Sequence, residues 1–195
     1  MKASTKILSV LISGLCYGYF LFYSTIPGRI FMNNKNIITE GPVYDEIWRD
    51  YGTLPQSVKD MLLDSNYRIY VVDLIENKDY IAGITYYGPR IILIKDDMYY
   101  VSRTMYHECG HVVDNKSHIL YSSTTKEFKQ IYLEEKDNFI CDNNYDYFVS
   151  DEREYFASAF AEYMLKPSRL KENTPKTYEF IRKCIEEWLY TWKNG

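Results

Sequence analysis

The spacing of apolar positions changes character several times along the chain. Ile7 to Tyr23 is an almost unbroken apolar and aromatic run, and residues 24–40 read as a linker with Pro27, Gly28 and Asn33-Asn34-Lys35-Asn36. Pro42 to Tyr51 then predicts a short helix ended by Gly52. A second helix opens at Leu54-Pro55-Gln56-Ser57 and runs to about Ser65, with Val58, Met61 and Leu62 at helical spacing. Three β-rich stretches follow: Tyr67 to Ile75, Tyr80 to Tyr87, and Arg90 to Ile94 after the turn signal Gly88-Pro89. Helical periods return at Met98 to Asn115, Thr124 to Lys136 and Asp151 to Leu165, the last stopping before Pro167. Cys141 to Phe148 is polar and irregular, and Pro175 begins the final helix, since proline suits a first turn. Strands first and helices later predict an α+β domain.

The first run is an address rather than part of the fold. Lys2 and Lys6 precede it, and no charge follows until Arg29. Its length lies between a signal-peptide core of about 7–15 residues and a spanning helix of about 17–25. No small-x-small cleavage site is evident, and bulky Leu15 before Cys16 argues against a lipid-attachment cysteine. An uncleaved anchor and a cleaved signal both remain open. Either places the chain from about residue 30 onward outside the cytoplasm. Residues 1–30 are therefore taken as signal or membrane anchor, and 31–195 as the folded domain.

Composition narrows the function. The chain of 195 residues is 46% hydrophobic and 26% charged, which excludes a disordered polymer. Its net charge of −4, without a basic block, argues against nucleic acid as partner. A domain of this size needs no disulfide to fold. Cys141 with Cys184 is the one pairing worth testing. There are 21 tyrosines but only 3 histidines, His107, His111 and His118.

Two of those histidines carry the chemistry. His107-Glu108-Cys109-Gly110-His111 is an HExxH pattern. A spacing of four places both imidazoles on one helix face, close enough to share a zinc ion. Glu108 is turned about 100° from His107, beside the ion, where it can accept a proton from the attacking water. Catalytic zinc sites use three protein ligands. His118 is one residue late for the histidine-rich version of the motif and reads as a bystander. The other candidates are Glu127, Glu134, Glu135, Glu152, Glu154 and Glu162. Glu154 has the best setting, on a helix with Phe156, Ala157, Ala159 and Phe160, whose alanines allow close helix approach. Asp151-x-x-Glu154 also spells a capping box, in which Glu154 would merely bond backbone.

The segments His107-Glu108-Cys109-Gly110-His111-Val112-Val113-Asp114 and Asp151-Glu152-Arg153-Glu154-Tyr155-Phe156-Ala157-Ser158-Ala159-Phe160 resemble the anthrax-lethal-factor-like zinc metallopeptidases. That family includes small secreted Pro-Pro endopeptidases of Gram-positive bacteria. The tail Thr174-Pro175-Lys176-Thr177-Tyr178-Glu179-Phe180-Ile181 is similar too, and the resemblance is clearest over about 80–185. It implies a zincin-like domain: a short N-terminal sheet, the HExxH helix and a following Glu-bearing helix. One zinc would sit on His107, His111 and Glu154, with Glu108 as base. The family pattern also has a tyrosine seven residues before the glutamate ligand, here Tyr147. A phenol there can hydrogen-bond the oxyanion of peptide hydrolysis; Tyr145 is its rival.

This chain departs from the pattern at Cys109, Ser158 and Arg153. Asp114, one turn after His111, either orients an imidazole through its second nitrogen or is a solvated helix-end carboxylate. Ile81 to Tyr87 is the candidate edge strand for a peptide substrate, with Tyr86 and Tyr87 either subsite walls or plain strand residues. The sequence therefore points to an extracellular zinc endopeptidase, secreted or membrane-tethered, acting on peptides or proteins. A preference for proline-containing peptides is implied by the resemblance alone. The alternative is a secreted zinc-stabilised toxin-like or binding domain with little turnover. Metal binding by itself would require neither Glu108 nor Tyr147.

Overall fold

A computed structural model describes residues 37–76, 78–116, 121–142 and 144–194, without the side chains of Lys116 and residues 187–194. The N-terminal segment 1–30 and His118 lie outside the described residues. Among the described residues no helix is long and apolar enough to cross a membrane.

The elements run β1 (Ile37–Ile38), α1 (Pro42–Thr53), α2 (Gln56–Asp64), β2 (Arg68–Val72), β3 (Gly83–Tyr86), β4 (Ile91–Lys95) and α3 (Val101–Lys116). After these come α4 (Lys126–Glu135), a single turn α5 (Tyr145–Phe148), α6 (Glu152–Leu165), α7 (Pro167–Asn173) and α8 (Pro175–Asn194). The architecture is α+β. Three elements escaped the sequence pattern, among them the turn α5, which falls in the stretch read as irregular. β1 lies in the expected linker and is two residues long, too short to show a period. Pro167 does stop α6, but it also occupies the first turn of α7, where its missing N–H costs nothing.

The sheet order is β1-β2-β4-β3. β4 is parallel to β2 and antiparallel to β3, which leaves β3 at an edge. Ile91 to Ile94 are all buried because both faces of β4 are covered. Ile92 and Ile94 enter the main core under the helices, while Ile91 and Leu93 join Val72 and Ile75 on the other face. The β3 register follows: Gly83 pairs with Ile94 and Thr85 with Ile92. Gly83 and Thr85 therefore share the face that meets α3, while Ile84 and Tyr86 pack with the second cluster.

α6 is buried on every side from Tyr155 to Glu162, as expected of a helix without a polar face. Asp151 caps it, accepting hydrogen bonds from the N–H groups of Arg153 and Glu154. α3 packs against it at Gly110. A Cβ at Gly110 would fall 2.8 Å from Ala157 Cα and 2.9 Å from Ala157 O. Those are backbone atoms that cannot move aside, so glycine is required here by space. Cys109 is buried within the same core, Cys184 also, and Cys141 packs at its margin.

The buried carboxylates stitch helices together. Glu135 accepts from the N–H groups of Lys176 and Thr177 at 3.0 and 2.8 Å and from Thr177 Oγ1 at 2.8 Å. An acidic group thus meets the first turn of α8, where the helix dipole favours it.

Substituting Gly110→Ala should lower stability by about 1–3 kcal/mol through overpacking, outweighing a helix-propensity gain of about 1 kcal/mol. Gly52→Ala in α1, where a Cβ meets nothing within 4 Å, should be neutral or stabilising. Chemical denaturation of both variants checks the contrast.

Candidate metal centre and cleft

α3 presents His107 and His111 on one face, and the Gly110–Ala157 contact brings the first turn of α6 to that face. Glu154 Oε2 lies 3.2 Å from His107 Nε2, and Glu154 Oε1 lies 3.6 Å from His111 Nε2. Donor atoms of all three residues fall within 4.8 Å of one another. Tetrahedral zinc with bonds near 2.0–2.1 Å separates its ligands by about 3.3 Å, so the spacing fits one ion. Glu154 Oε2 is buried and makes no hydrogen bond, a lone pair that a cation would use. The donor set, two imidazoles and one carboxylate, suits zinc.

The protonation states agree. Burial, with His107 and Arg153 adding, pushes the His111 pKa down to about 3 against the opposing charge of Glu154, leaving the imidazole neutral and able to ligate. Burial opposes ionisation of Glu154, but the two facing imidazoles and the Tyr147 phenol hold its pKa down, at about 2. His107 Nδ1 lies 3.2 Å from Ser158 Oγ. With that nitrogen engaged, Nε2 is the one turned to Glu154. Ser158 thus occupies the supporting position where the sequence showed a departure.

Four of the other carboxylate candidates are engaged elsewhere. Glu135 caps α8. Glu162 is buried beside Arg103 and Arg169. Glu134 bonds Gln130 and Lys176. Glu127 sits on the surface 3.9 Å from Lys183. In the capping-box pattern it is Asp151 that serves the backbone, while the Glu154 side chain faces the histidines. Asp114 is neither an imidazole partner nor solvated. It is fully buried and takes Ser123 N–H at 2.7 Å and Ser123 Oγ at 2.8 Å. Burial still raises its pKa to about 6.

Glu108 lies against β3. Thr85 Oγ1 donates to Glu108 Oε2 at 2.7 Å. A Cβ at Gly83 would fall 2.9 Å from Glu108 Oε1, so glycine leaves the room that the carboxylate fills. Burial pushes the Glu108 pKa up to about 7, and the charge of Glu154 adds to this against His107 and Thr85. Neither Gly83 nor Thr85 stood out as a site residue in the sequence. Their signal was period-two alternation within a strand preceding the HExxH helix.

Tyr147 comes from α5, with its ring 6.3 Å from that of His107. Burial and the nearby Glu154 carboxylate raise its phenol pKa, so it stays a hydrogen-bond donor. Tyr145 is turned away and bonds the Lys136 carbonyl at 2.9 Å. Tyr147, His107 and Glu108 line a cleft of about 460 Å³ that runs past Tyr80 to Gly83 and is closed by Tyr100, Arg103 and Phe148. Tyr86 and Tyr87 are not among its lining residues. Tyr86 bonds Glu76 at 3.0 Å, and Tyr87 accepts a hydrogen bond from Arg153 at 3.0 Å.

Residues 94–184 match the family model for the anthrax toxin lethal factor N- and C-terminal domain. This part of the chain is lethal-factor-like. No curated protein matches the chain. Among solved structures, the Pro-Pro endopeptidase of Paenibacillus alvei superposes with a TM-score of 0.54 at 18% identity, covering 74% of this chain and 92% of that one. The likeness is one of fold, and the fold is zincin-like: a small sheet, the HExxH helix and the Glu-bearing helix.

Zinc titration against a chromophoric chelator should give one tight equivalent for the native protein. Glu154→Ala should weaken it at least 100-fold, whereas Glu127→Ala should leave it unchanged. Equal zinc affinity for the two variants would remove Glu154 from the ligand set.

Proposed function

We propose that the protein is a zinc-dependent endopeptidase, with zinc on His107, His111 and Glu154, Glu108 as general base and Tyr147 as oxyanion donor. The observation that carries the reading is the Glu108 carboxylate. It is buried, ordered by Thr85 and seated beside the three-residue cluster at the wall of an open cleft. A purely structural metal site has no use for such a group.

Bound zinc would polarise the scissile carbonyl and lower the pKa of the attacking water. Glu108 takes the proton from that water and passes it to the leaving amine. A pKa raised to about 7 by burial suits both halves of that transfer. Thr85 fixes the carboxylate rotamer, and Gly83 lets it lie flat against the strand. Tyr147 donates its phenolic proton in a hydrogen bond to the developing oxyanion. The peptide backbone lies along β3, whose outer edge is unpaired in the sheet order.

The chain's structural neighbour is a Pro-Pro endopeptidase, and we carry a preference for proline-containing peptides to this protein as part of the proposal. The proposed setting is extracellular, with residues 1–30 as signal or membrane tether, because the apolar run Ile7 to Tyr23 precedes the folded domain. Protease accessibility of the domain on intact cells checks that placement.

Glu108→Gln should retain zinc and abolish cleavage of a proline-containing peptide library. Tyr147→Phe should lower kcat by about 10²–10³-fold, the usual loss for one oxyanion donor, with KM little changed. Undiminished turnover by zinc-loaded Glu108→Gln protein would refute the mechanism.

A further inference from the structure

The same cleft holds a cation that the proposed hydrolysis does not use. Arg103 precedes His107 by four residues on α3, so the two share a helix face about 6 Å apart along the axis. Both line the cleft. Among its described lining residues, Arg103 is the one cation and Glu108 the one carboxylate. The guanidinium stands 5.6 Å over the Phe148 ring.

Behind the guanidinium is a charge network that does not balance. Arg103 Nη2 donates to Glu162, which also accepts from Arg169 Nη2 at 2.7 Å and Arg169 Nε at 3.1 Å. Asp142 takes Arg169 Nη1 at 2.9 Å and Lys166 Nζ at 2.8 Å, and stays 3.9 Å from Arg103. Arg103, Lys166 and Arg169 thus share two carboxylates, leaving one positive charge in excess. Within this group the unsatisfied donor is Arg103 Nη1, which is buried and makes no hydrogen bond. A planar guanidinium with a spare N–H at the wall of a peptide cleft matches a carboxylate.

We propose that Arg103 is a specificity-determining residue that selects peptides bearing a carboxylate at this end of the cleft. The inference rests on the peptidase reading for its substrate being a peptide. An extended peptide advances about 3.3 Å per residue, so the carboxylate belongs about two residues from the scissile bond. An internal Asp or Glu side chain and a free C-terminus both supply that chemistry.

The test uses the full chain in detergent, zinc-loaded, with Glu108→Gln to prevent turnover. Fluorescein-labelled hexapeptides are compared by anisotropy as matched pairs: Asp against Asn at each position, and free carboxylate against amide at the C-terminus. One pair should show at least tenfold tighter binding of the acidic member, and which pair does so identifies the source. Arg103→Gln should bring that ratio close to one. Arg103→Lys, which keeps the charge facing Glu162, should leave an intermediate ratio and carries the test should the glutamine variant not fold. Equal binding of both members of every pair, a ratio unchanged in the variants, or no peptide binding overturns the inference. Cleavage by protein with Glu108 intact is scored separately. Turnover without charge selectivity removes the Arg103 role and leaves the peptidase reading. Charge-selective binding without turnover does the reverse.

Discussion

The contact of Gly110 with Ala157 is the constraint on which the site depends. Gly110 lies three residues after His107, and Ala157 three residues after Glu154. His107 and Glu154 are thus each about one helical turn from the point where α3 and α6 come closest, and His111 is next to it. Side chains larger than hydrogen and methyl at that point would separate the helices, and Glu154 would withdraw from the imidazoles. Packing and chemistry are therefore one requirement here, met by a glycine that is unfavourable for helix formation in isolation.

A second close approach places Glu108. β3 is an edge strand, and its Gly83 and Thr85 face α3. The absent side chain at Gly83 gives the Glu108 carboxylate a place, and the Thr85 hydroxyl gives it an orientation. Sheet register does the rest, since pairing of Gly83 with Ile94 and Thr85 with Ile92 turns those residues toward the main core. A slip of one residue would instead present Ile84 to α3 and displace that carboxylate.

Around this centre the protein invests unusually in buried carboxylates. Glu135 holds the start of α8, Asp114 holds the turn at Ser123, and Glu162 joins α3 to α7 through Arg103 and Arg169. Such pairs contribute little net stability once desolvation is counted. Their effect is positional: each fixes a helix end or a connection between helices. The Glu162 network reaches Asp142, close in sequence to the segment bearing Tyr147.

Much of this was legible without coordinates. Helical and strand periods located nearly all the long elements, because each buries one continuous face. The HExxH spacing put two histidines together, since a helix carries its own geometry. The short elements β1, α5 and α7 were not legible, because two to four residues show no period and a proline signals a stop as readily as a start. Glu154 stood out only in company with other glutamates, and Asp114 was left between two roles, neither of which it fills. Thr85, Gly83 and Arg103 owe their places to the site wholly to contacts across the fold. Local periodicity and the intra-helical pair are written in neighbouring residues, so the sequence determined them alone. The carboxylate that faces the two histidines, the strand behind Glu108 and the unbalanced guanidinium depend on which distant surfaces pack together, and only the tertiary structure decided them.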